Sequence, residues 1–343
     1  MKGRSVLYIA AMIIWLASCS KSSSTDNTGT APTNLSVSAV VAPDNSGNVS
    51  FTASATNAVS YDFDYGNGIF QTVPSGVITY KYPASGTYSV NVVAKSSSGQ
   101  TISKSINITV TVVLTLVWSD EFDVPGAPDP TKWGYDIGTG SGGWGNNELE
   151  YYTNSLNNAT VSGGTLKIIA KKESFMGSAY TSARLLTMNK FTFQYGRIEV
   201  SAKLSSALGT WPAIWMLGNN ISSVGWPNCG EIDIMEQKGS DQNKIYGTVH
   251  YPGHSGSNGD VSTTVIANAS TAFHKYALDW NTSYISFSVD GVIFKIFANN
   301  GSLPFNQNFF VILNLAIGGN FGGTVDPGFT NDVLEVDYVR VYH

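Results

Sequence analysis

Residues 230–236 read Gly-Glu-Ile-Asp-Ile-Met-Glu, and this stretch decides how the surrounding chain folds. Its first two acids alternate with isoleucines, so a β-strand would send the acids to one face and the isoleucines to the core. Regular pleating would then bury Glu236, and an unpaired buried carboxylate costs several kcal/mol. We therefore predict a one-residue β-bulge near Met235, which returns Glu236 to the face of the other two acids.

The bulged strand aligns three carboxylates, Glu231, Asp233 and Glu236, on one exposed face. Their mutual repulsion raises the pKa of one carboxyl group and keeps it protonated near neutral pH. Retaining glycoside hydrolysis uses such a pair: one carboxylic acid protonates the leaving oxygen, and a carboxylate about 5–5.5 Å away attacks the anomeric carbon. Acidic alternation also occurs on solvated strand faces, so a polar strand without catalytic function is the alternative.

The surrounding segments also have the periodicity of β-structure. Gly196–Leu204 alternates apolar and polar residues, which predicts a half-buried strand. Tyr284–Lys295 contains two alternating runs around Asp-Gly, a strong hairpin signal, and Leu334–Tyr342 predicts a final strand. Because no long capped helix is evident, we predict an all-β chain whose larger domain, residues 113–343, is a two-sheet sandwich or jelly roll with a concave, ligand-binding face.

Further motifs flank the acidic strand. They are Trp144–Tyr152, Tyr180–Leu185, Gly209–Gly218, Gly247–His250, Asn314–Gly319 and Val336–Tyr342. Together with Glu-Ile-Asp-Ile-Met-Glu, their order over residues 116–343 resembles the laminarinase-like (endo-β-1,3-glucanase) branch of glycoside hydrolase family 16. The resemblance implies a β-jelly-roll fold and a retaining mechanism, with Glu231 as nucleophile, Glu236 as general acid/base and Asp233 as a hydrogen-bonding partner between them.

Aromatic and polar side chains in these motifs are the candidates for sugar binding, because sugar rings stack on aromatic faces and their hydroxyls bond to polar groups. The candidate substrate-binding residues are Trp211, Trp215, Trp226, Asn147, Arg184 and His250. Trp211 and Trp215 lie four apart and hence on one strand face, and the resemblance implies that they form glycone subsites. The alternatives are core positions for the tryptophans, a structural ion pair for Arg184 and a structural role for His250.

Other reactive groups lie in or near the same motifs. Glu148 and Glu150 form a second acidic pair with a spacing of two; Glu148 could contact substrate, whereas we favour a structural role for Glu150. Asn314 lies on a predicted strand and could face the cleft. Cys229 is two residues from a carboxylate, which raises the pKa of a thiol, so we do not expect a cysteine nucleophile.

The predicted chemistry requires no metal or cofactor. The sequence has neither the ligand spacing of a zinc site nor an EF-hand loop. The family resemblance implies one structural Ca²⁺ on the convex face, remote from catalysis. Glu121 and Gly164 would bind it through backbone oxygens and Asp337 through its carboxylate.

Residues 33–112 read as a separate small β-module. Its strand-like runs are Asn34–Val40, Asn48–Ala55, Ser60–Asp64, Val77–Tyr82, Gly86–Ala94 and Ser103–Val112. The segments Tyr61–Gly68 and Gly86–Val90 resemble a PKD domain, which is an immunoglobulin-like β-sandwich that usually acts as a spacer. The aromatic residues expected in its core are Tyr61, Phe63, Tyr80 and Tyr88.

The first residues predict export. After a short positive region, Val6–Leu16 is apolar but too short to span a bilayer as a stable helix. Leu-Ala-Ser-Cys at 16–19 resembles a bacterial lipobox, which implies a signal peptide at 1–18, a lipid on Cys19 and a polar tether at 19–32. We therefore expect an exported protein anchored to a bacterial membrane, at the outer membrane or cell surface. The alternative is an ordinary signal peptide with an incidental cysteine.

The composition of the chain argues against one class of binding partner. Charged residues make up 13% of the chain and the net charge is −5, without clustered Lys or Arg, so we expect no nucleic-acid partner. We expect a monomer that hydrolyses β-1,3-glucan of the laminarin type in an endo-acting, retaining manner, with mixed-linkage β-1,3/1,4-glucan as a further candidate. The alternatives are the same mechanism on a marine galactan (agar, carrageenan or porphyran) and a non-catalytic glycan-binding surface lipoprotein.

Overall fold

The computed structural model of the protein describes residues 29–343. The predicted signal peptide, Cys19 and the tether up to residue 28 lie outside the described residues. From residue 29 onward, no helix is long and apolar enough to cross a membrane. The chain divides into two compact units, and the larger contains Thr109–His343.

The N-terminal module is a two-sheet sandwich of seven strands. They are β1 (Thr33–Val41), β2 (Asn48–Thr56), β3 (Ser60–Asp64), β4 (Phe70–Val73), β5 (Val77–Lys81), β6 (Gly86–Lys95) and β7 (Thr101–Val110). One sheet has the order β1-β2-β5 and the other β4-β3-β6-β7, which agrees with the predicted immunoglobulin-like sandwich. The sequence analysis missed β4, because only the last of its four side chains is buried and no apolar pattern marks it.

Aromatic side chains fill the core of this module. Phe63 is inaccessible to solvent, and Tyr61 and Tyr80 are buried. The rings of Tyr65 and Tyr80 stack with their centroids 3.8 Å apart. The expected core positions are therefore confirmed for Tyr61, Phe63 and Tyr80, whereas Tyr88 is only partly buried.

The larger unit is built almost entirely from strands. They are β8 (Leu116–Asp120), β9 (Gly134–Asp136), β10 (Glu150–Tyr152), β11 (Ala159–Ser162), β12 (Thr165–Phe175), β13 (Ser178–Ser182), β14 (Arg184–Leu186), β15 (Gly196–Lys203), β16 (Thr210–Gly218), β17 (Glu231–Lys238), β18 (Asp241–His250), β19 (Asp260–Val265), β20 (His274–Trp280), β21 (Tyr284–Val289), β22 (Val292–Ala298), β23 (Phe309–Ile317) and β24 (Asn331–Tyr342). Its helical segments are α1 (Ile221–Val224), α2 (Gly319–Gly322), a π-turn at Gly143–Asn147 and a 3₁₀ turn at Gly256–Asn258.

These strands form two sheets that enclose one core. The seven-stranded sheet has the order β19-β18-β17-β16-β23-β14-β9. The ten-stranded sheet has the order β10-β13-β12-β24-β15-β20-β21-β22, and in addition β11 pairs with β12 and β8 with β24. Ile214, Met216 and Ile232 enter the core from the first sheet, and Val200 and Leu278 from the second. The predicted jelly-roll sandwich is confirmed.

The predicted hairpin forms between β21 and β22. Its two turn residues, Asp290 and Gly291, have φ angles of 50° and 82°. A two-residue hairpin turn of the primed type requires positive φ at both positions, and Asp-Gly tolerates it well. The final strand also forms, although it begins at Asn331 rather than at Leu334.

The prediction that β15 is half-buried was wrong. Its residues from Ile198 to Ala202 are all buried, including the polar ones. Arg197 Nη1 lies 2.7 Å from Asp279 Oδ2, and Tyr338 donates a 2.8 Å hydrogen bond to Glu199. These ionic and polar side chains cover the outer face of the strand, and polar–apolar alternation does not distinguish such a face from a solvated one.

Candidate active site

The acidic strand β17 contains the predicted bulge. Its register against β16 leaves Ile234 as an extra residue after Asp233, and the ladder with β18 shifts between Asp233 and Glu236. Ile234 and Met235 are both buried in the core although they are adjacent. Burying each of them contributes about 1.5–3 kcal/mol, more than the roughly 1 kcal/mol of a ladder hydrogen bond. The bulge thus returns Glu236 to the face of Asp233.

Glu231, Asp233 and His250 form a compact group at one end of this face. His250 Nε2 lies 3.2 Å from Asp233 Oδ2 and 3.7 Å from Glu231 Oε1. The ligand atoms of the three residues lie within 4.8 Å of one another, a spacing that could also hold a metal ion. The indole Nε1–H of Trp226 donates a 2.9 Å hydrogen bond to Glu231 Oε2. His250 and Trp226 therefore favour the ionised form of Glu231, whereas the charge of Asp233 opposes it.

Glu236 has a donor of the same kind on the other side of Asp233. The indole Nε1–H of Trp211 donates a 3.0 Å hydrogen bond to Glu236 Oε1. The hydroxyl of Thr248 donates a longer bond, 3.4 Å, to Oε2. Each of the two glutamates thus accepts a hydrogen bond from its own tryptophan.

The surroundings raise the pKa of all three acids. Burial is the largest cause in each case, and the negative charge of Asp233 is the next cause for the two glutamates. The pKa rises to about 8 for Glu231 and Glu236 and to about 7 for Asp233. A group of acids with such shifts retains a proton near neutral pH, which a general acid needs.

A buried lysine behind the acidic strand was missed by the sequence analysis. Lys295, on β22, donates hydrogen bonds to the backbone carbonyls of Gly247, at 3.3 Å, and of Asp260. A hydrogen bond from Glu231 and the positive charge of Lys295 both lower the pKa of Asp233 and partly offset the effect of burial. No sequence signal indicated that Lys295 is buried, because a single lysine in an alternating strand reads as a surface residue.

Trp215 and Arg184 form a stack on the same sheet face. The guanidinium carbon of Arg184 lies 4.7 Å from the ring centroid of Trp215 and 4.7 Å from that of Trp144. Arg184 Nε also lies 3.0 Å from Asp136 Oδ2. The structural ion pair considered for Arg184 is therefore present, and it holds the guanidinium between two aromatic rings. Trp144 was not singled out from the sequence, although it lies within a quoted motif.

Asn314 faces this site, as the sequence suggested. Its Oδ1 accepts a 2.8 Å hydrogen bond from Trp215 Nε1, and its Nδ2 donates a 3.0 Å bond to the hydroxyl of Tyr152. Glu150 is inaccessible to solvent, which fits the structural role favoured for it.

An aromatic cluster next to Trp211 was also missed. The ring centroid of Phe321, in α2, lies 5.1 Å from Trp211 and 5.0 Å from Tyr246. Lys238 Nζ lies 4.7 Å from the centroid of Phe321. Phe321 lies two residues after the quoted motif Asn314–Gly319, and this was the one available signal.

Asn147 stands apart from the acidic group. Its side chain is exposed and donates a 2.8 Å hydrogen bond to Asn320 Oδ1. Its backbone has a φ of 57°, a conformation that asparagine tolerates better than most residues. The structure shows no bond from Asn147 to the acids, and its role in binding stays a prediction.

Cys229 lies in the small apolar cluster beneath Trp215. Its side chain is inaccessible, and burial, with the charge of Glu231 as the next cause, raises the pKa of its thiol to about 11. A thiol with this pKa is a poor nucleophile at neutral pH. The expectation that Cys229 is not a nucleophile agrees with this environment.

The three residues of the expected calcium site lie on or next to strands that pair along one edge of β24. This strand pairs first with β12, up to Val336, and then with β8, from Val339 onward. Asp337 lies in the gap between the two ladders, where Gly164 precedes β12 and Glu121 follows β8. Asp337 has no hydrogen bond or ion pair to any residue from 29 to 343, whereas the carboxylate of Glu121 is held in an ion pair. This oxygen-rich gap fits a calcium ion.

The fold and the acidic face together define a jelly-roll glycoside hydrolase. The chain belongs to glycosyl hydrolases family 16: the model of that family matches residues 146–339, and the model of the PKD domain matches residues 33–112.

Similar proteins include a beta-glucanase of Rhodothermus marinus, which is 45% identical over 243 residues that cover 66% of this chain and 84% of that protein. Among solved structures, the catalytic domain of an endo-1,3-beta-glucanase (laminarinase) from Thermotoga petrophila is 42% identical, with a TM-score of 0.63 over 67% of this chain and 98% of that one. A variant of LamA from Zobellia galactanivorans, in complex with laminaritriose and laminaritetraose, is 44% identical, with a TM-score of 0.62 over 67% of this chain and 99% of that one.

Proposed function

We propose that the protein is an endo-acting, retaining glycoside hydrolase that cleaves β-1,3-glucan of the laminarin type, with mixed-linkage β-1,3/1,4-glucan as a second candidate substrate. The observation that carries this proposal is the bulge in β17, which brings Glu231 and Glu236 to one face with a tryptophan donor on each. The laminarinases among the similar structures support the choice of substrate.

In the proposed reaction, Glu236 begins protonated and Glu231 ionised. Glu236 gives its proton to the glycosidic oxygen as the bond from that oxygen to the anomeric carbon breaks, and a Glu231 oxygen forms a bond to the same carbon. Glu236 then takes a proton from water, the water oxygen displaces Glu231, and both carboxyl groups return to their starting states. Asp233 lies between the two, and while Glu231 is ionised a protonated Asp233 donates the hydrogen bond that joins them and so restrains Glu231.

The aromatic groups on either side of the acids supply the surfaces for sugar rings. We assign the Trp215–Arg184–Trp144 stack to the glycone side, as the family resemblance implies for Trp215. Trp211 both donates to Glu236 and presents its indole face, so it links sugar binding to the protonation of the acid.

The proposal is tested by incubating the purified protein with laminarin, lichenan and agarose and counting reducing ends. Glu231→Gln and Glu236→Gln should each lower the rate on laminarin by at least about a thousandfold, since each removes one half of the acid–nucleophile pair. Glu173→Gln is the matched control, because Glu173 lies on β12 outside the site and should retain wild-type activity.

Other outcomes would point to the alternatives. Reducing ends from agarose but not from either glucan would replace the glucan with a galactan. Binding of laminarin without release of reducing ends would identify a glycan-binding protein. Full activity in either glutamine variant would refute the assignment of the two acids.

We also propose a structural calcium ion held by Asp337 and by the backbone oxygens of Glu121 and Gly164. The unpartnered carboxylate of Asp337 in the gap between β12 and β8 supports this site. The ion would supply positive charge that fixes the ends of three chain segments, and it takes no part in hydrolysis.

Finally, we propose that the protein is exported and anchored to a bacterial membrane through a lipid on Cys19, so that it meets polysaccharide outside the cytoplasm as a monomer. The Leu-Ala-Ser-Cys sequence at 16–19 supports this proposal.

A further inference from the structure

A second pair of carboxyl groups lies close to the site but has no part in the proposed reaction. Glu150 is inaccessible to solvent, and its Oε2 accepts a 2.7 Å hydrogen bond from the backbone N–H of Ile317. Burial, followed by the negative charge of Glu148, raises the pKa of Glu150 well above its ordinary value. Glu148 lies beside this buried carboxyl group and accepts hydrogen bonds of its own from Asn146 and Tyr152.

A directional chain of hydrogen bonds connects Glu148 to the sugar-binding face. Tyr152 donates its hydroxyl proton to Glu148 Oε2 at 2.9 Å, and Asn314 Nδ2 donates to the Tyr152 oxygen at 3.0 Å. Trp215 Nε1 donates to Asn314 Oδ1 at 2.8 Å. Every donor in the chain points towards the carboxyl group of Glu148, which accepts the last hydrogen bond and thereby orients each group in turn.

The far end of this chain reaches the acidic strand. Trp215 lies opposite Asp233 in the register between β16 and β17. Its ring is held on one face by Arg184, at 4.7 Å, and its edge is held by the bond to Asn314. Fixing the indole nitrogen fixes the rotation of the ring, and hence the plane on which a sugar can stack.

We propose that Glu148 is a positioning residue, which acts through Tyr152 and Asn314 to hold the Trp215 indole in its sugar-stacking orientation. The identity of the sugar, a β-linked glucose residue on the glycone side, rests on the proposed function, whereas the hold on Trp215 does not depend on it.

Removal of a single hydroxyl group interrupts this hydrogen-bond chain. Tyr152→Phe removes the hydroxyl that joins Asn314 to Glu148 and keeps the ring, whose centroid lies 5.9 Å from that of Trp144. Tyr135→Phe is the matched control, because Tyr135 lies on β9 of the same sheet and has no hydroxyl bond to any residue in the described part of the chain. Glu148→Gln keeps an oxygen that can accept from the Tyr152 hydroxyl, whereas Glu148→Leu removes that acceptor.

The first measurement follows Trp215 without substrate. In ¹⁵N-labelled protein, the indole Nε1–H resonance of Trp215 is identified by its loss in Trp215→Phe. In Tyr152→Phe this resonance should shift and its hydrogen exchange should accelerate at least about tenfold, the change expected for losing roughly 1.4 kcal/mol of hydrogen bonding. Glu148→Leu should give the same result, and Glu148→Gln should remain close to wild type.

The second measurement is the kinetics on laminarin. Loss of a stacking orientation weakens ground state and transition state alike, so KM should rise about tenfold in Tyr152→Phe with kcat within about twofold of wild type. A wild-type resonance and KM in Tyr152→Phe would overturn the proposal. A fall in kcat and melting temperature with unchanged KM and an unchanged Trp215 resonance would also overturn it, because this pattern indicates a purely structural role. If the wild type cleaves no glucan, the proposed function fails, while the Trp215 resonance still decides this inference.

Discussion

The two tryptophan–glutamate hydrogen bonds make a prediction about the pH dependence of hydrolysis. Trp211 donates to Glu236 and Trp226 donates to Glu231, so Trp211→Phe and Trp226→Phe each remove one donor and retain an aromatic ring. A hydrogen bond to a carboxylate stabilises its ionised form, and its loss raises the pKa. Each substitution should therefore shift one limb of the pH profile of kcat/KM towards higher pH.

The exposure of the two donors sets the sizes of the shifts. The bond from Trp211 is partly buried and 3.0 Å long. A hydrogen bond to a charged group in such a place contributes about 1.5 kcal/mol at the low end, which corresponds to a pKa change of about 1. Trp226 is 46% exposed, so water replaces much of its bond. We expect about half the shift for Glu231.

The assay is the initial rate on laminarin at subsaturating concentration between pH 4 and pH 10. The alkaline limb reports the acid that must hold its proton, and it should move up by about 1 in Trp211→Phe. The acidic limb reports the carboxylate that must be ionised, and it should move up by about 0.5 in Trp226→Phe. If Trp211→Phe moves only the acidic limb, the roles of Glu231 and Glu236 are reversed. If neither variant moves either limb, the two bonds do not tune the acids.

Three further predictions concern the stability of the fold, the calcium site and the lipid anchor. The pKa of Glu236 in the folded protein, about 8, lies above its ordinary value, so the folded state binds the proton more tightly and stability falls as pH rises between about 4.5 and 8. This shift of about 3.5 in pKa corresponds to about 5 kcal/mol, so urea unfolding should show Glu236→Gln more stable than wild type by up to about 5 kcal/mol at pH 9 and by much less at pH 4; an equal gain at both values would contradict this. EDTA should lower the melting temperature of the wild type by about 5 °C and leave that of Asp337→Asn unchanged; an equal response of both proteins would exclude Asp337 as a ligand. In cells, Cys19→Ala should move the protein from the membrane fraction to the soluble fraction, and wild-type fractionation of the variant would rule out the lipid anchor.

Local sequence patterns predicted which segments form strands and turns better than they predicted which side chains are buried. The Asp-Gly turn between β21 and β22 could be predicted because its backbone geometry depends on the two turn residues alone. The burial of β15 could not, because Glu199 is covered by its neighbour Arg197 together with Tyr338, which lies 139 positions away in the sequence. Alternation shows which side chains share a face, and only the tertiary structure shows what covers that face.

The same distinction applies to the site. The acids on β17 and the pair Trp211 and Trp215 on β16 were predictable, since each set lies on one strand and its spacing fixes its face. The chain from Glu148 to Trp215 was not, because it joins β23 and the segment around β10 through hydrogen bonds between residues up to 162 positions apart. No spacing in the sequence encodes such a connection.

The bulge on β17 connects the stability of the fold to its proposed chemistry. In a regular strand, Met235 would face the cleft and Glu236 would face the core. Such a strand could not bury the apolar side chain and expose the acid at the same time. The extra residue, Ile234, lets the core keep two adjacent apolar side chains while the second glutamate stays beside its tryptophan donor. Asp233 lies two residues after Glu231, but Glu236 lies three residues after Asp233. This change in spacing encodes a break in the two-residue period of the strand, and the break places an acid and a nucleophile on one surface.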